Sequence, residues 1–468
     1  MRVIMGRAEM GEHSARSSRL QERLMCGFGA TALSPAVTAL IQLGSVPVLL
    51  HVWGVGKYGD WLLLSAIPSY LTLSNLGLGD ASGSDMSMRV AGGDREAALE
   101  TFQSSWVLVT TVSFAILFLA LLFVWWIPWQ PWLKLSGVSS HQAAVLISVL
   151  GAYVVLSQQN GILESGYRSD GHFATGTFWI AILRFVESAV ACIVAVLHGD
   201  LLAVASTYLL VRCVGTVGYA LLLRRLSPWI HYGIGHARLK TIRNLAGPAF
   251  AFMAFPLGQA LSFQGFTILI GAMLGPIAVV SFSTLRTLSR LNAQVLGMIA
   301  NTVWPELSRA FGEGDFDLAR RLHRLSWQAS LGLALLGGAM LWILGPFIYR
   351  VWIHHNVNFN APCFHVLLLV AIASSLWNVS SVILMSSNGH SRIAAAYVAA
   401  TALSLGLAAL LIPALATTGA AIALLLTEVW MTWIVLHSAL QHSQDSLKTF
   451  FSAIVVLRWV PLRATPES

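Results

Sequence analysis

Charge is what this sequence has least of. Only 10% of its 468 residues are Asp, Glu, Lys or Arg, while 56% are hydrophobic, and the mean hydropathy is +0.71. That balance excludes a water-soluble fold, which needs far more polar surface at this length. Cysteine is scarce as well. Cys26, Cys192, Cys213 and Cys363 are scattered without paired spacing, so they read as small core hydrophobes and not as a disulfide framework. No glycine-rich phosphate loop occurs and no loop carries a carboxylate pair, which argues against catalysis. His354-His355, the one tight histidine cluster, has no acidic neighbours and reads as a solvated loop, so neither metal nor cofactor is expected. The Asn378-Val379-Ser380 sequon falls inside a predicted helix and is a chance match. The polar, arginine-rich first 25 residues precede an apolar stretch too long for a signal h-region, so no cleavable signal peptide is expected.

What the chain does have is apolar runs of membrane-spanning length. Twelve are predicted, near 26–50, 61–79, 105–127, 142–163, 174–197, 201–223, 245–273, 277–302, 326–351, 363–386, 393–414 and 418–440. The implied class is an all-α polytopic membrane protein. Its division is a segment 1–25, a six-helix bundle 26–223, a linker 224–244, a second six-helix bundle 245–440 and a tail 441–468. The stretch 305–324 (PELSRAFGEGDFDLARRLHR) is predicted as a short amphipathic surface helix.

Lysine and arginine fall on alternate loops. One set holds Arg89 and Arg95, Arg168, Arg224 and Arg225, Arg320, Arg321 and Arg324, and Lys448, while the other keeps only Lys57 and Lys134, with Arg350 at a boundary. The expected orientation puts both termini in the cytoplasm, with tryptophans 125, 126, 129 and 132 at the outer interface. The net charge of +8 then reflects topology and anionic lipid, not nucleic acid.

The two bundles are tandem repeats. A shift of 221 residues sets Gly93-Asp94 on Gly314-Asp315, Trp106 on Trp327, Pro35 on Pro256 and Gly54 on Gly275. An even number of helices per half gives parallel repeats, the plan of many alternating-access carriers, with a substrate cavity expected between the halves.

Four arginines, Arg184, Arg212, Arg286 and Arg290, lie near the middle of apolar spans. A charge at that depth costs about 3 kcal/mol on insertion scales and normally faces a cavity or a partner. In the eighth span, Ser283, Arg286, Thr287, Arg290, Gln294, Gly297 and Asn301 share one helical stripe. Arg286 and Arg290, four apart, form a pair of planar forks suited to phosphate or diphosphate. A milder polar stripe in the first span includes Gln42. The alternative is that these arginines pair with Glu187, Glu428 or backbone carbonyls and lock helices together. Arg184 and Glu187 either neutralise each other or belong to the site. Glu428 reads as an arginine's partner or as a coupling carboxylate. Phe252, Phe255, Gln259, Phe263 and Phe266 form a face that either packs or meets a sugar or prenyl chain.

Three stretches, VLLHVWGVGKYGDWLLLSAIPSYLTLSNLGLGDA (48–81), FSTLRTLSRL (282–291) and WPELSRAFGEGDFDLARRL (304–322), resemble the polysaccharide transporters of the multidrug/oligosaccharidyl-lipid/polysaccharide exporter superfamily, which contains the O-antigen flippases. The resemblance implies a bacterial inner-membrane flippase. It would carry undecaprenyl-diphosphate-linked oligosaccharide repeats from the cytoplasmic to the periplasmic leaflet, for O-antigen, capsule or exopolysaccharide, beside glycosyltransferases or a polymerase. The cationic cavity would hold the diphosphate while the prenyl tail stays in lipid. Three rivals are an ion-coupled drug exporter of the same superfamily, a membrane-embedded assembly enzyme, and a scaffold.

Overall fold

The computed structural model describes residues 2–75, 77–354, 356–386 and 391–455, with side chains from 35 onward save 80, 245–252, 301, 305, 391 and 455. The apolar runs form helices because only internal backbone pairing satisfies N–H and C=O groups in lipid. α1 (Arg2–Ser69) is two limbs meeting at Gly54, whose φ of 72° and ψ of 171° interrupt the helix. Its second limb passes through a 3-10 turn (Tyr70–Asn75) into α2 (Leu78–Ala91). There follow α3 (Arg95–Val124), a short α4 (Trp129–Leu133), α5 (Ser140–Ser169), α6 (Phe173–Val196) and α7 (Leu201–Leu226). The second half begins with α8 (Leu239–Ala260), which runs through a π turn (Leu261–Gly265) into α9 (Phe266–Leu274). It continues with α10 (Pro276–Glu313), α11 (Phe316–Ile353), α12 (Ala361–Ser386) and α13 (Ser391–His442), the last bent at Ala416. α14 (Leu447–Val455) lies beyond the last bundle helix.

With each limb of α1 and α13 counted, the described residues form twelve membrane-length rods and no strand. Nine stretches, two of them these bent pairs, are long and apolar enough by composition to cross a membrane. α10 is not among them, because its polar stripe dilutes its hydropathy. The chain is a multi-pass membrane protein.

The repeat is written into the backbone. Gly93 and Gly314 both take positive φ, 82° and 72°, a conformation that favours glycine. The aspartate after each caps the next helix: Asp94 accepts from the Ala97 N–H and Asp315 from the Leu318 N–H, each at 2.9 Å. Gly54 and Gly275 share another special conformation, with ψ of 171° and 177°.

Two predicted boundaries shift. No separate helix forms at 305–324, because α10 runs to Glu313 and α11 starts at Phe316 across the Gly314-Asp315 corner. The segment between α7 and α8 is 227–238, shorter than the expected linker because both helices run beyond its expected ends.

Helices associate in lipid through close packing and interhelical hydrogen bonds, not through a hydrophobic drive. Small residues bring the halves together at the end bearing Gly54 and Gly275. Leu63 fills the space where Gly271 lacks a side chain, and Gly59 meets Pro276. There a single buried core joins the halves, Leu50, Leu63 and Leu64 with Phe266, Val280 and Leu285. At the arginine-rich end the cores are separate, one around Phe102, Tyr167 and Tyr219, the other around Leu307, Leu322 and Ile383. The two units are thus fused at one face and have independent cores at the other.

Candidate functional site

The four deep arginines do not share one site. Arg212 on α7 and Glu187 on α6 form a buried two-pronged ion pair, Nε to Oε1 and Nη2 to Oε2 both at 2.6 Å. Tyr153 on α5 completes it, receiving a hydrogen bond from Arg212 Nη2 at 2.9 Å and donating to Glu187 Oε2 at 3.3 Å. This is a charge-paired network across three helices of the first unit, in which Arg212 Nε and Glu187 Oε1 meet as an ion pair without hydrogen-bond geometry. Arg184 is exposed on α6 and interacts with Glu187 only at longer range.

Arg286 and Arg290 do meet, in a cavity of about 210 Å³ whose wall also includes Phe255, Gln259, Ser262, Trp377, Tyr397 and Glu428. Its walls come from α8, the π turn, α10, α12 and both limbs of α13. The cavity therefore lies within the second unit and not between the halves, the position the tandem plan led us to expect. The reason is local. Both forks point from α10 toward the π turn, whose widened ladder exposes the Ser262 carbonyl. Arg286 Nη1 donates to that carbonyl at 3.0 Å and Nη2 to Ser262 Oγ at 3.1 Å.

Phe263, in the same turn, organises both cations. The guanidinium carbons of Arg286 and Arg290 each lie 4.1 Å from its ring centroid, close enough for cation–π attraction. The aromatic face foreseen on this helix is thus partly a cation platform: Phe263 and Phe255 line the cavity, Phe266 is core, and Phe252 lies outside the described side chains. Arg290 has no hydrogen bond or ion pair among the described residues; its guanidinium rests on the Phe263 ring.

Glu428 faces both arginines electrostatically, yet its close partner is Trp377, whose Nε1 donates to Oε2 at 2.5 Å. Two guanidiniums therefore share one carboxylate. The cavity carries a surplus positive charge and holds five free donors on Arg290.

The rest of the α10 stripe divides. Gln294 lines the cavity and donates from Nε2 to Gln42 Oε1 on α1 at 3.0 Å. Ser283 and Thr287 are half-buried and outside the cavity wall, and the Asn301 side chain is outside the described residues. Sequence reasoning missed Ser262, Ser289, Ser374, Ser375, Asn378 and Tyr397, all on the wall; as single hydroxyls and amides in apolar helices they carry no periodic signal. It also missed Asp60, fully buried and accepting from the Ser136 and Gly137 N–H groups at 3.0 and 2.9 Å. The described residues hold no cluster of three metal-ligating side chains.

No family model and no curated protein matches the chain. Solved structures do. An inward-facing multidrug resistance MATE family transporter of the MOP superfamily matches with a TM-score of 0.71 and 13% identity, over 87% of this chain and 98% of that one. An outward-facing transporter of that family gives 0.63 and 14%, over 91% and 96%. A MOP superfamily transporter from Pyrococcus furiosus, described as having a binding pocket of reversed polarity that suggests a different function, gives 0.57 and 14%, over 92% and 95%. The fold is that of the MATE transporters of the MOP superfamily. At these identities the likeness defines the architecture, and the cargo has to be argued from the cavity.

Proposed function

We propose that this protein is a membrane exporter of an anionic, phosphate-bearing amphiphile. Its cargo is an undecaprenyl-diphosphate-linked oligosaccharide, moved from the cytoplasmic leaflet to the opposite one by alternating access of the two units. One observation carries the reading: Arg286 and Arg290 stack on one phenylalanine with a single carboxylate opposite, leaving a surplus cation and free N–H donors in the pocket. A phosphate oxygen would supply the missing counter-charge and accept from Arg290 in the two-pronged manner guanidinium favours. At about 210 Å³ the pocket is smaller than the 300–1,000 Å³ of drug-sized sites, so it suits a diphosphate headgroup, with sugars and chain lying outside it. The arginine-rich face is assigned to the cytoplasm on charge asymmetry, with both termini on that side. The separate cores at that face suit entry from it.

A second reading is drug export. It is favoured by the multidrug transporters that share the fold and by Phe255, Trp377 and Tyr397 around Glu428, a setting that would accept an aromatic cation. Two arginines against one acid weigh on the other side.

Reconstituted vesicles loaded with a labelled undecaprenyl-diphosphate oligosaccharide test the proposal, with movement followed by accessibility to an external glycan-modifying enzyme. Wild type is expected to move the label, and Arg290→Ala to slow it at least tenfold with unchanged abundance. Movement of a cationic dye, with none of a panel of diphosphate-linked glycans, would hand the site to drug export.

A further inference from the structure

Gln294 is a cavity residue that bonds to the other unit. It lines the pocket one turn after Arg290 on α10, and its Nε2 donates at 3.0 Å to Gln42 Oε1 on α1, 252 positions away in the chain. Its own Oε1 is buried without a partner. The neighbouring residue, Leu43, makes a second bond across the same junction: its carbonyl accepts from Trp352 Nε1 of α11 at 2.8 Å. That carbonyl is available because its helical donor would be residue 47, a proline with no N–H. The first helix thus makes a side-chain bond and a backbone bond to the second unit at adjacent positions, and of these two the side-chain bond opens onto the arginine cavity.

Residues four apart on a helix are neighbours, so an anion seated on Arg290 lies within reach of the Gln294 amide. Gln294 carries both of its N–H donors on one atom, Nε2, one of them given to Gln42, so the amide turns as a unit toward whichever acceptor holds it more strongly. A bond from that amide to a phosphate oxygen is charge-assisted and stronger than its present neutral bond to Gln42. We propose that an anion bound at Arg290 draws the Gln294 amide away from Gln42. Gln42 then acts as a ligand-reading residue of the first unit: it reports occupancy of a cavity that it does not line. This rests on the anion reading above and adds that Gln42 and the ligand compete for the placement of one amide group. The backbone bond from Trp352 stays, so the junction loosens at one point without coming apart.

Competition has a sign that a supporting contact lacks. If Gln42 competes with the ligand, Gln42→Leu should tighten anion binding; if Gln42 merely holds Gln294 in place, the same change should weaken it. The test uses the full chain in nanodiscs, cysteine-free with spin labels at Glu96 and Asp317, one on each unit at the arginine-rich face. Geranyl diphosphate is the probe, read by pulsed dipolar spectroscopy and by equilibrium binding. Saturating probe should shift the wild-type inter-label distances. Gln42→Leu should change the ratio of the two populations about fivefold without probe, the effect of one ordinary hydrogen bond, and bind the probe about fivefold more tightly. Gln42→Asn, which keeps the amide on a shorter stem, should fall between. The inference is overturned if Gln42→Leu binds the probe equally or more weakly, or leaves the distances unchanged. If wild type and Arg290→Ala bind the probe alike, the anion reading itself fails. If only Arg290→Ala loses binding while Gln42→Leu matches wild type, that reading stands and the inference alone falls.

Discussion

A buried guanidinium brings five N–H donors and a fixed charge, and the two arginine environments answer that demand differently. Arg212 has its charge matched by Glu187 and its Nη2 bonded to Glu187 and Tyr153, so it needs no ligand for neutralisation. Truncating one partner strands the other charge, which costs about 3–5 kcal/mol when the pair is buried. Arg212→Ala is therefore expected to lower thermal stability in detergent sharply, while Arg212→Met with Glu187→Leu recovers most of the loss. Transport by that double variant close to wild type would mark the pair as a helix lock; loss of transport with stability restored would return Arg212 to the substrate path. Arg290 is the opposite case, held by a ring and lacking a hydrogen-bond partner among the described residues. Nothing in the one-dimensional sequence separates these two arginines, because both sit mid-span in apolar helices. What separates them is a carboxylate 25 positions away that a neighbouring helix brings within 2.6 Å.

At the scale of elements, the breaks in helices matter more than the helices. The π turn at Leu261–Gly265 presents both the Ser262 carbonyl and the Phe263 ring to α10. No residue in LSFQG announces that turn, so the platform for the arginines was not legible beforehand. The Gly93-Asp94 and Gly314-Asp315 corners were legible only as aligned positions of the repeat, and a helix was expected across the second, although a left-handed glycine followed by a capping aspartate is a local device. α14 is a third kind of element, tethered at its start. Phe450 is buried against Trp327, and Asp445 receives two bonds from Arg324 at 2.6 and 2.9 Å. Burial alone would raise the Asp445 carboxyl, but the Arg324 and Thr449 hydrogen bonds hold it below the ordinary aspartate range. Its contribution is therefore present above about pH 4, the unfolded value, and disappears as pH falls through the lower folded value. A fluorophore at the exposed Ser452 should report α14 docked from pH 7 to 5 and released only in stronger acid. Asp445→Asn should release it at neutral pH, and release of the wild type already at pH 6 would refute the linkage.

For the whole molecule, the tandem plan makes a demand on sidedness. Two units of even helix number in parallel must place equivalent turns on one face. Single cysteines at Glu96 and Asp317 are expected to react with an impermeant thiol reagent from the same side of the membrane, the cytoplasmic one, and a cysteine at Lys134 from the other. Reaction of 96 and 317 from opposite sides would break the parallel repeat. The class, the twelve rods and the repeat were decided by the sequence itself. They follow from composition, run length and local backbone preference, which act within a few residues of one another. The tertiary structure alone decided that Arg286 and Arg290 face a cavity inside the second unit, that Arg212 is neutralised, and that Gln42 reaches Gln294. Those outcomes depend on which helices become neighbours. An isolated span fixes the faces it offers but not the partner that covers them, and in a low-dielectric interior it is the partner that decides whether a charge becomes a lock or a site.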